Sequence, residues 1–386
     1  MGRSTAEPSQ SPKSIANRSF TRLLSAFMHF PPHERAALEL VAETAILQEH
    51  NIAVFQDANR TVTVGEPMFV ARLCKALTIM ANGWRGQLMT IDPGARLSIT
   101  SIFTHQKPYV HFPSGVANPD RCELADLAVV LIDRSNPAQV ASRCLFVQAK
   151  RVDAPQVTLL DPGDLRQLAF YTGRPKFDVA RRNAPAGINF PAPLPDNALN
   201  YGLTPPAKAK SGPVGAGWAN TRWTLAQNLQ GHPTHQLTGN RSLQSALVDL
   251  LEGSAGWVFN LAAANQDWTA FSGRDNWSAL INFILEDTAT ALAPSYARGV
   301  HRERGYGEQG MFLQYADKQS NTAMVSHPYD WAPHSFAAKV LNRMRRAYRD
   351  GIRGVPPYDP REPDDDEEGG GPMSVAVIEI ALPRRH

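Results

Sequence analysis

Two short apolar runs with a turn between them constrain this chain more than any other feature. The first reads Glu123-Leu124-Ala125-Asp126-Leu127-Ala128-Val129-Val130-Leu131-Ile132-Asp133 and the second Leu145-Phe146-Val147-Gln148-Ala149-Lys150-Arg151. Both are rich in Val, Ile, Leu and Phe, and Arg134-Ser135-Asn136-Pro137 after the first has turn chemistry, so the pair reads as a hairpin. Placing Asp126 opposite Gln148 makes opposed residue numbers add to 274 and sets the midpoint at 137, which is Pro137, inside that turn. Side chains alternate faces along a strand, so Gln148 and Lys150 share a face, and Asp126 opposite Gln148 shares it too. A carboxylate, an amide and an ammonium therefore converge at one sheet edge. Burying such groups without partners costs roughly 1–3 kcal/mol each, so their presence in an apolar hairpin calls for a purpose.

Around the hairpin the sequence predicts further elements. Residues 34–49 carry apolar residues at helical spacing. Gly65-Glu66-Pro67 opens a second helix, with Phe69, Leu73, Ala76, Leu77 and Met80 on its inner face and Asn82-Gly83 as its stop. A strand is expected at 97–103 and a helix at 164–172, closed by Gly173 and Pro175. The expected division is a lead-in without structure (1–30), a core with an N-terminal helix (31–180), and a Pro/Gly-rich insertion or loop (181–241). A mostly helical part packed on the core (242–358), an acidic linker (359–372) and a terminal strand (373–386) follow. The fold class is α/β (α+β), with a mixed central sheet flanked by helices and with helical and loop-rich additions. No internal repeat is visible.

The arrangement of Asp126, Gln148 and Lys150 resembles the PD-(D/E)xK nuclease superfamily, the restriction-endonuclease-like fold, in the Gln-x-Lys variant of its Mrr-like branch. The resemblance covers about residues 66–172. It implies a helix, three antiparallel strands, a helix and a further strand. It also implies that Asp126 and Gln148 hold a divalent cation, Mg²⁺ or Mn²⁺, while Lys150 positions or activates the attacking water and offsets charge on the scissile phosphate. Glu66 occupies the place where such families often carry an acidic residue on the first helix, and it joins the expected metal ligands. Gln167 and Tyr171 on the following helix have two readings, as braces for the site or as ordinary core and surface residues. Two departures are plain: the usual second acid is Gln148, and the Pro-Asp pair of the family name is absent at Asp126. Pro119-Asp120 lies in an expected loop, which leaves Asp120 in reserve. The chemistry suits the residue types, because Mg²⁺ prefers oxygen ligands and usually takes one or two carboxylates, and it helps generate hydroxide from water.

Charge enters here. The net charge is +3, yet Glu362, Asp364, Asp365, Asp366, Glu367 and Glu368 concentrate six negative charges in the linker, so the rest of the chain stands at +9. That surplus is compatible with a polyanionic partner. Arg343, Arg345, Arg346 and Arg349 crowd one expected helix and form the candidate nucleic-acid-binding face, the competing reading being a solvated helix paired with the acidic linker. The resemblance alone suggests a microbial defence or restriction-type effector acting on nucleic acid, with DNA favoured over RNA. The alternative is a catalytically inactive nuclease fold used as a nucleic-acid-binding or assembly module, and a homo-oligomer or partner protein is compatible with either. Cys74, Cys122 and Cys144 lack CxxC spacing and read as reduced packing residues, which points to a cytoplasmic setting. No apolar run reaches the ~18 residues of a membrane-spanning helix. The stretch 251–256 lacks the Lys-Ser/Thr ending of a phosphate loop, which excludes ATP binding by that motif.

Overall fold

The structure, a computed structural model, describes residues 28–58, 66–104, 108–113, 120–136, 140–152, 156–181, 183–191, 198–204, 224–227, 236–263, 266–297, 302–307, 310–315, 322–326, 335–342 and 372–383. Its helices are α1 (Pro32–Ala58), α2 (Glu66–Ile91), α3 (Pro162–Gly173), α4 (Leu243–Leu251) and α5 (Asn276–Ala297), with a further helical run at 336–342. The strands are β1 (Arg96–Phe103), β2 (Tyr109–Phe112), β3 (Asp120–Glu123), β4 (Leu127–Asp133), β5 (Ala141–Arg151), β6 (Gln156–Thr158), β7 (Asp178–Val179), β8 (Leu199–Thr204), β9 (Thr224–Gln227), β10 (Gln236–Ser242), β11 (Trp257–Val258), β12 (Arg302–Gly307), β13 (Gly310–Tyr315), β14 (Thr322–Val325) and β15 (Ser374–Ala381).

The two apolar runs form the antiparallel pair β4–β5 near the middle of a twelve-stranded mixed sheet. Leu127 faces Val147 and Ala128 faces Phe146, so opposed numbers again add to 274, the register required by Asp126 opposite Gln148. The ladder ends there: Asp126, just before β4, donates its N–H to the Val147 carbonyl at 3.1 Å, one residue out of that register. The pair is buried on both faces. Leu127, Val129, Leu131, Leu145 and Val147 pack under α1, α2 and α4, whereas Ala128, Val130, Ile132, Cys144 and Phe146 face a second core built with α3 and α5. Gln148 and Lys150 belong by strand parity to the second face.

Four features depart from the linear reading. The terminal strand β15 lies inside the sheet, antiparallel to β1 and parallel to β4, so β1 does not adjoin the hairpin. The segment 181–241, expected as an insertion or loop, supplies β8, which pairs in parallel with β5, and then β9 and most of β10. The region 242–358 contributes β11 to β14 as well as helices. Finally, α2 continues through Asn82-Gly83 to Ile91. Gly83 serves close packing there, because a Cβ would come within 2.5 Å of Val41 Cγ1 on α1, and the next residue, Trp84, donates from Nε1 to the Leu38 carbonyl at 2.8 Å. The expected helix at 164–172 is α3, entered through Asp161, whose carboxylate caps the N–H groups of Gly163 and Asp164, with Pro162 in the first turn. All three cysteines are free and buried, and burial raises the Cys74 thiol to about 12, as expected of packing residues. No helix among the described residues is long and apolar enough to cross a membrane.

Candidate functional site

The site forms where β5 runs past the start of β4. Just before β4 the chain leaves a separate three-stranded sheet, β3–β2–β7, and crosses to the large sheet through Glu123-Leu124-Ala125-Asp126. This crossing is clamped from α3. Gln167 Nε2 donates to the Glu123 carbonyl at 3.0 Å, and the Tyr171 hydroxyl donates to the Leu124 carbonyl at 2.8 Å. Both side chains are buried, and they hold the backbone that carries Asp126. Leu124 and Ala125 are fully buried, which fixes the same backbone from below.

Asp126 is 4 % exposed, and its Oδ2 accepts from the Ala149 N–H at 2.6 Å, which ties the carboxylate to β5 beside Gln148. Gln148 is fully buried. Its Nε2 donates to Glu123 Oε2 at 3.3 Å, while its Oε1 finds no hydrogen-bond partner among the described residues. Lys150 lies two residues along the same face, and its Nζ donates to Asp164 Oδ1 at 2.6 Å in an ion pair with the first turn of α3. Burial works against the Lys150 ammonium, but the charges of Glu66, Asp164 and Asp126 and the bond to Asp164 outweigh it, so its pKa is raised. Lys150 is therefore a cation in the folded protein.

Glu66 approaches from the opposite layer. It begins α2, and its Oε1 accepts from the Arg151 N–H at 3.2 Å, near enough for its charge to act on Lys150. Its carboxylate thus closes the end of β5, with the N-terminal dipole of α2 also favouring a negative charge there. Arg343, Arg345, Arg346 and Arg349 lie outside the described residues. The backbone of Asp120 lies in β3, opposite Phe112 in the smaller sheet.

Three contributors were not legible as such. Asp164 has the sequence context of a helix start, and in the fold it is the anion that holds Lys150. Glu123 was visible three residues before Asp126, but nothing local showed that its carboxylate meets Gln148. Tyr201, in the Pro-rich segment, faces Gln148 in the β5–β8 register, packs its ring 5.2 Å from that of Tyr171, and has a buried hydroxyl with no partner among the described residues. Burial, with the nearby charge of Asp164, raises its pKa well above the usual range, so the group stays an O–H.

The buried Gln148 oxygen has no partner among the described residues and the Asp126 carboxylate is bonded to the N–H of the next residue, Ala149, so the oxygen donors that a hard divalent cation prefers are present. Among the described residues no group of three or more His, Cys, Asp or Glu side chains gathers as a metal site. A cation held here would therefore rest on Asp126, on the Gln148 oxygen and on water. No family model matches the chain, and neither the curated proteins nor the solved structures contain a match to it.

Proposed function

We propose that the chain is a Mg²⁺- or Mn²⁺-dependent nuclease that hydrolyses phosphodiester bonds of nucleic acid, DNA in preference to RNA, on a restriction-endonuclease-like core. The observation that carries the reading is the buried, unpartnered oxygen of Gln148, next in sequence to Ala149, whose N–H the Asp126 carboxylate accepts, and two residues from a charged Lys150. The order α2, β1, β4, β5, α3, β8, with β8 parallel to β5, supports the core assignment, and β15 is an insertion between its first two strands. A setting in microbial defence or restriction follows from the family resemblance.

In this reading Asp126 and the Gln148 oxygen hold the cation, which when bound supplies polarisation of the phosphate and a lower pKa for water. Lys150 changes partner, from Asp164 to a phosphate oxygen and the attacking water, which a flexible ammonium with three donors can do. Gln167 and Tyr171 keep the Asp126 backbone in place while this happens. The competing reading, an inactive nuclease-fold module that binds nucleic acid, draws on the engagement of Lys150 by Asp164 and on the amide in place of an acid.

The test is incubation of purified protein with supercoiled plasmid and with single- and double-stranded DNA and RNA, in Mg²⁺, Mn²⁺ or EDTA. Cation-dependent cleavage is expected. Asp126→Asn and Lys150→Ala should each lower it by about 10²–10³-fold without loss of folding, the scale of removing one charged group from a transition state. Cleavage at wild-type rate by both variants, in preparations free of contaminating nuclease, sinks the proposal. Salt-dependent binding without any cleavage establishes the inactive module instead.

A further inference from the structure

We infer that Asp164 is an autoinhibitory latch on Lys150, and that the Tyr201 hydroxyl is the partner its carboxylate takes when nucleic acid opens the latch. The inference rests on the proposed function and names the switch that frees its lysine. In the folded protein the Lys150 ammonium is held 2.6 Å from Asp164 Oδ1. A phosphate brought to the same ammonium would stand against that carboxylate, anion against anion, so one has to leave for the other to be held closely. The pair is suited to exchange. Its side chains are 15 % and 28 % exposed, and ion pairs open to water are weak. By contrast, the buried Glu379 has both carboxylate oxygens engaged, by Arg134 and by the Phe336 N–H, and breaking such a pair strands a buried charge. Among the described residues the Asp164 carboxylate has one partner, Lys150, through Oδ1.

Both members of the pair have a second place to go. Lys150 goes to the phosphate. Asp164 sits in the first turn of α3, where the positive end of the helix dipole favours its charge without Lys150. Seven residues on, two turns along the same face of α3, Tyr171 packs its ring 5.2 Å from that of Tyr201 on β8. That face of α3 thus meets Lys150 on β5 and Tyr201 on β8 together. Tyr201 is buried, and its hydroxyl has no partner among the described residues. Burial and, after it, the charge of Asp164 keep the phenol protonated, so it is a donor within the field of that carboxylate. A carboxylate released by Lys150 turns about its own side chain to accept from this donor, and the bond it forms is of the stronger, charge-assisted kind. Two arrangements of one set of groups result: Lys150 on Asp164 with the phenol idle, and Lys150 on phosphate with Asp164 on the phenol.

Binding of a fluorescein-labelled DNA duplex to the full-length protein in EDTA, read by anisotropy at one fixed salt concentration, tests this without reference to cleavage. Asp164→Asn should tighten binding by about 10-fold, the scale of one hydrogen bond to a charged group. Asp161→Asn is the control for charge alone. It removes the same charge from the same helix turn, its carboxylate caps the Gly163 and Asp164 N–H groups, and asparagine caps as well, so the gain should stay below about 3-fold. Tyr201→Phe should weaken binding by about 5-fold in the otherwise natural chain, and by less than about 2-fold in the Asp164→Ala background, where no carboxylate is left to receive. D164N binding no tighter than D161N removes the latch, and equal losses from Y201F in the two backgrounds remove the receiver. Either result overturns the inference, while cation-dependent cleavage by the wild type keeps the proposed function standing. A wild type that neither binds nor cleaves nucleic acid overturns both. Should D164N fail to fold, D164A carries the first comparison too, with the same expected gain.

Discussion

The two ends of the hairpin both bury polar and charged groups and partner them differently. At the end near the turn, Asp133 Oδ1 accepts from the Ser135 N–H at 2.8 Å. Arg143 Nη1 donates to the carbonyls of Ala255 and Gly256 at 3.1 and 2.8 Å, just past the C-terminus of α4. Glu379 on β15 is 1 % exposed and bonds to Arg134 and to the Phe336 N–H. Burial raises the Glu379 carboxyl and lowers the Arg143 guanidinium to about 10, and each still has protein partners aimed at it. Gly256 belongs to the same fitting: at φ +71 it passes so close to β5 that a Cβ would lie 2.9 Å from the Cys144 carbonyl.

At the other end the accounts stay open. The Gln148 oxygen and the Tyr201 hydroxyl face each other's strands as buried atoms without partners among the described residues. The lesson is that burial of charge does not mark a functional site. The end near the turn engages its charged groups within the protein, yet Trp257 Nε1, paired there with β5, is also buried without a partner among the described residues. An unpartnered atom costs about 1–3 kcal/mol at either end, and what differs is which chemistry is left over, an indole N–H there and an amide oxygen and a phenol here.

Substitutions can break that contrast. The largest effect on stability is expected from Arg143→Ala, which strips two carbonyls of a charged donor; hydrogen bonds of this kind are worth about 1.5–3 kcal/mol each, so urea denaturation should show a loss in that range or above. Asp126→Asn should barely shift the same curve, because the amide oxygen can still accept from Ala149. Equal losses in the two would erase the distinction between the ends. A smaller effect is expected from Tyr171→Phe. It removes the bond to Leu124 and should cost about 0.5–1.5 kcal/mol, and cleavage should fall by more than the unfolded fraction accounts for, since the freed crossing carries Asp126. The smallest effect sharpens the comparison most. Tyr201→Phe deletes a hydroxyl that has no partner among the described residues and keeps the ring against Tyr171, so its melting temperature should equal or exceed that of the wild type. A clear drop would show that the hydroxyl is structural and that this end of the hairpin is closed after all.

Sequence by itself determined what is local. The hairpin register followed from side-chain parity and turn chemistry, so the pairing of Leu127 with Val147 and of the residues after it was readable before any fold was known. The start of α2 at Glu66 and the span of α3 were equally legible, because Pro in a first turn and a capping or left-handed residue act within a few residues of themselves. Tertiary structure decided the rest. Nothing in residues 373–382 says that this strand will enter the sheet between β1 and β4, since that choice depends on partners 247 to 285 residues away whose pairing is equally available to other strands. The Pro-rich segment hid β8 because its strand is six residues long among loop formers, and it also hid Tyr201. Gly83 read as a stop because glycine weakens an isolated helix, yet contact with Val41 made its missing side chain an advantage. The same holds for the site: residue types and parity named Asp126, Gln148 and Lys150, but the partners of those groups, Glu123, Asp164 and Tyr201, were chosen by the packing of α3 and β8, which no local pattern encodes.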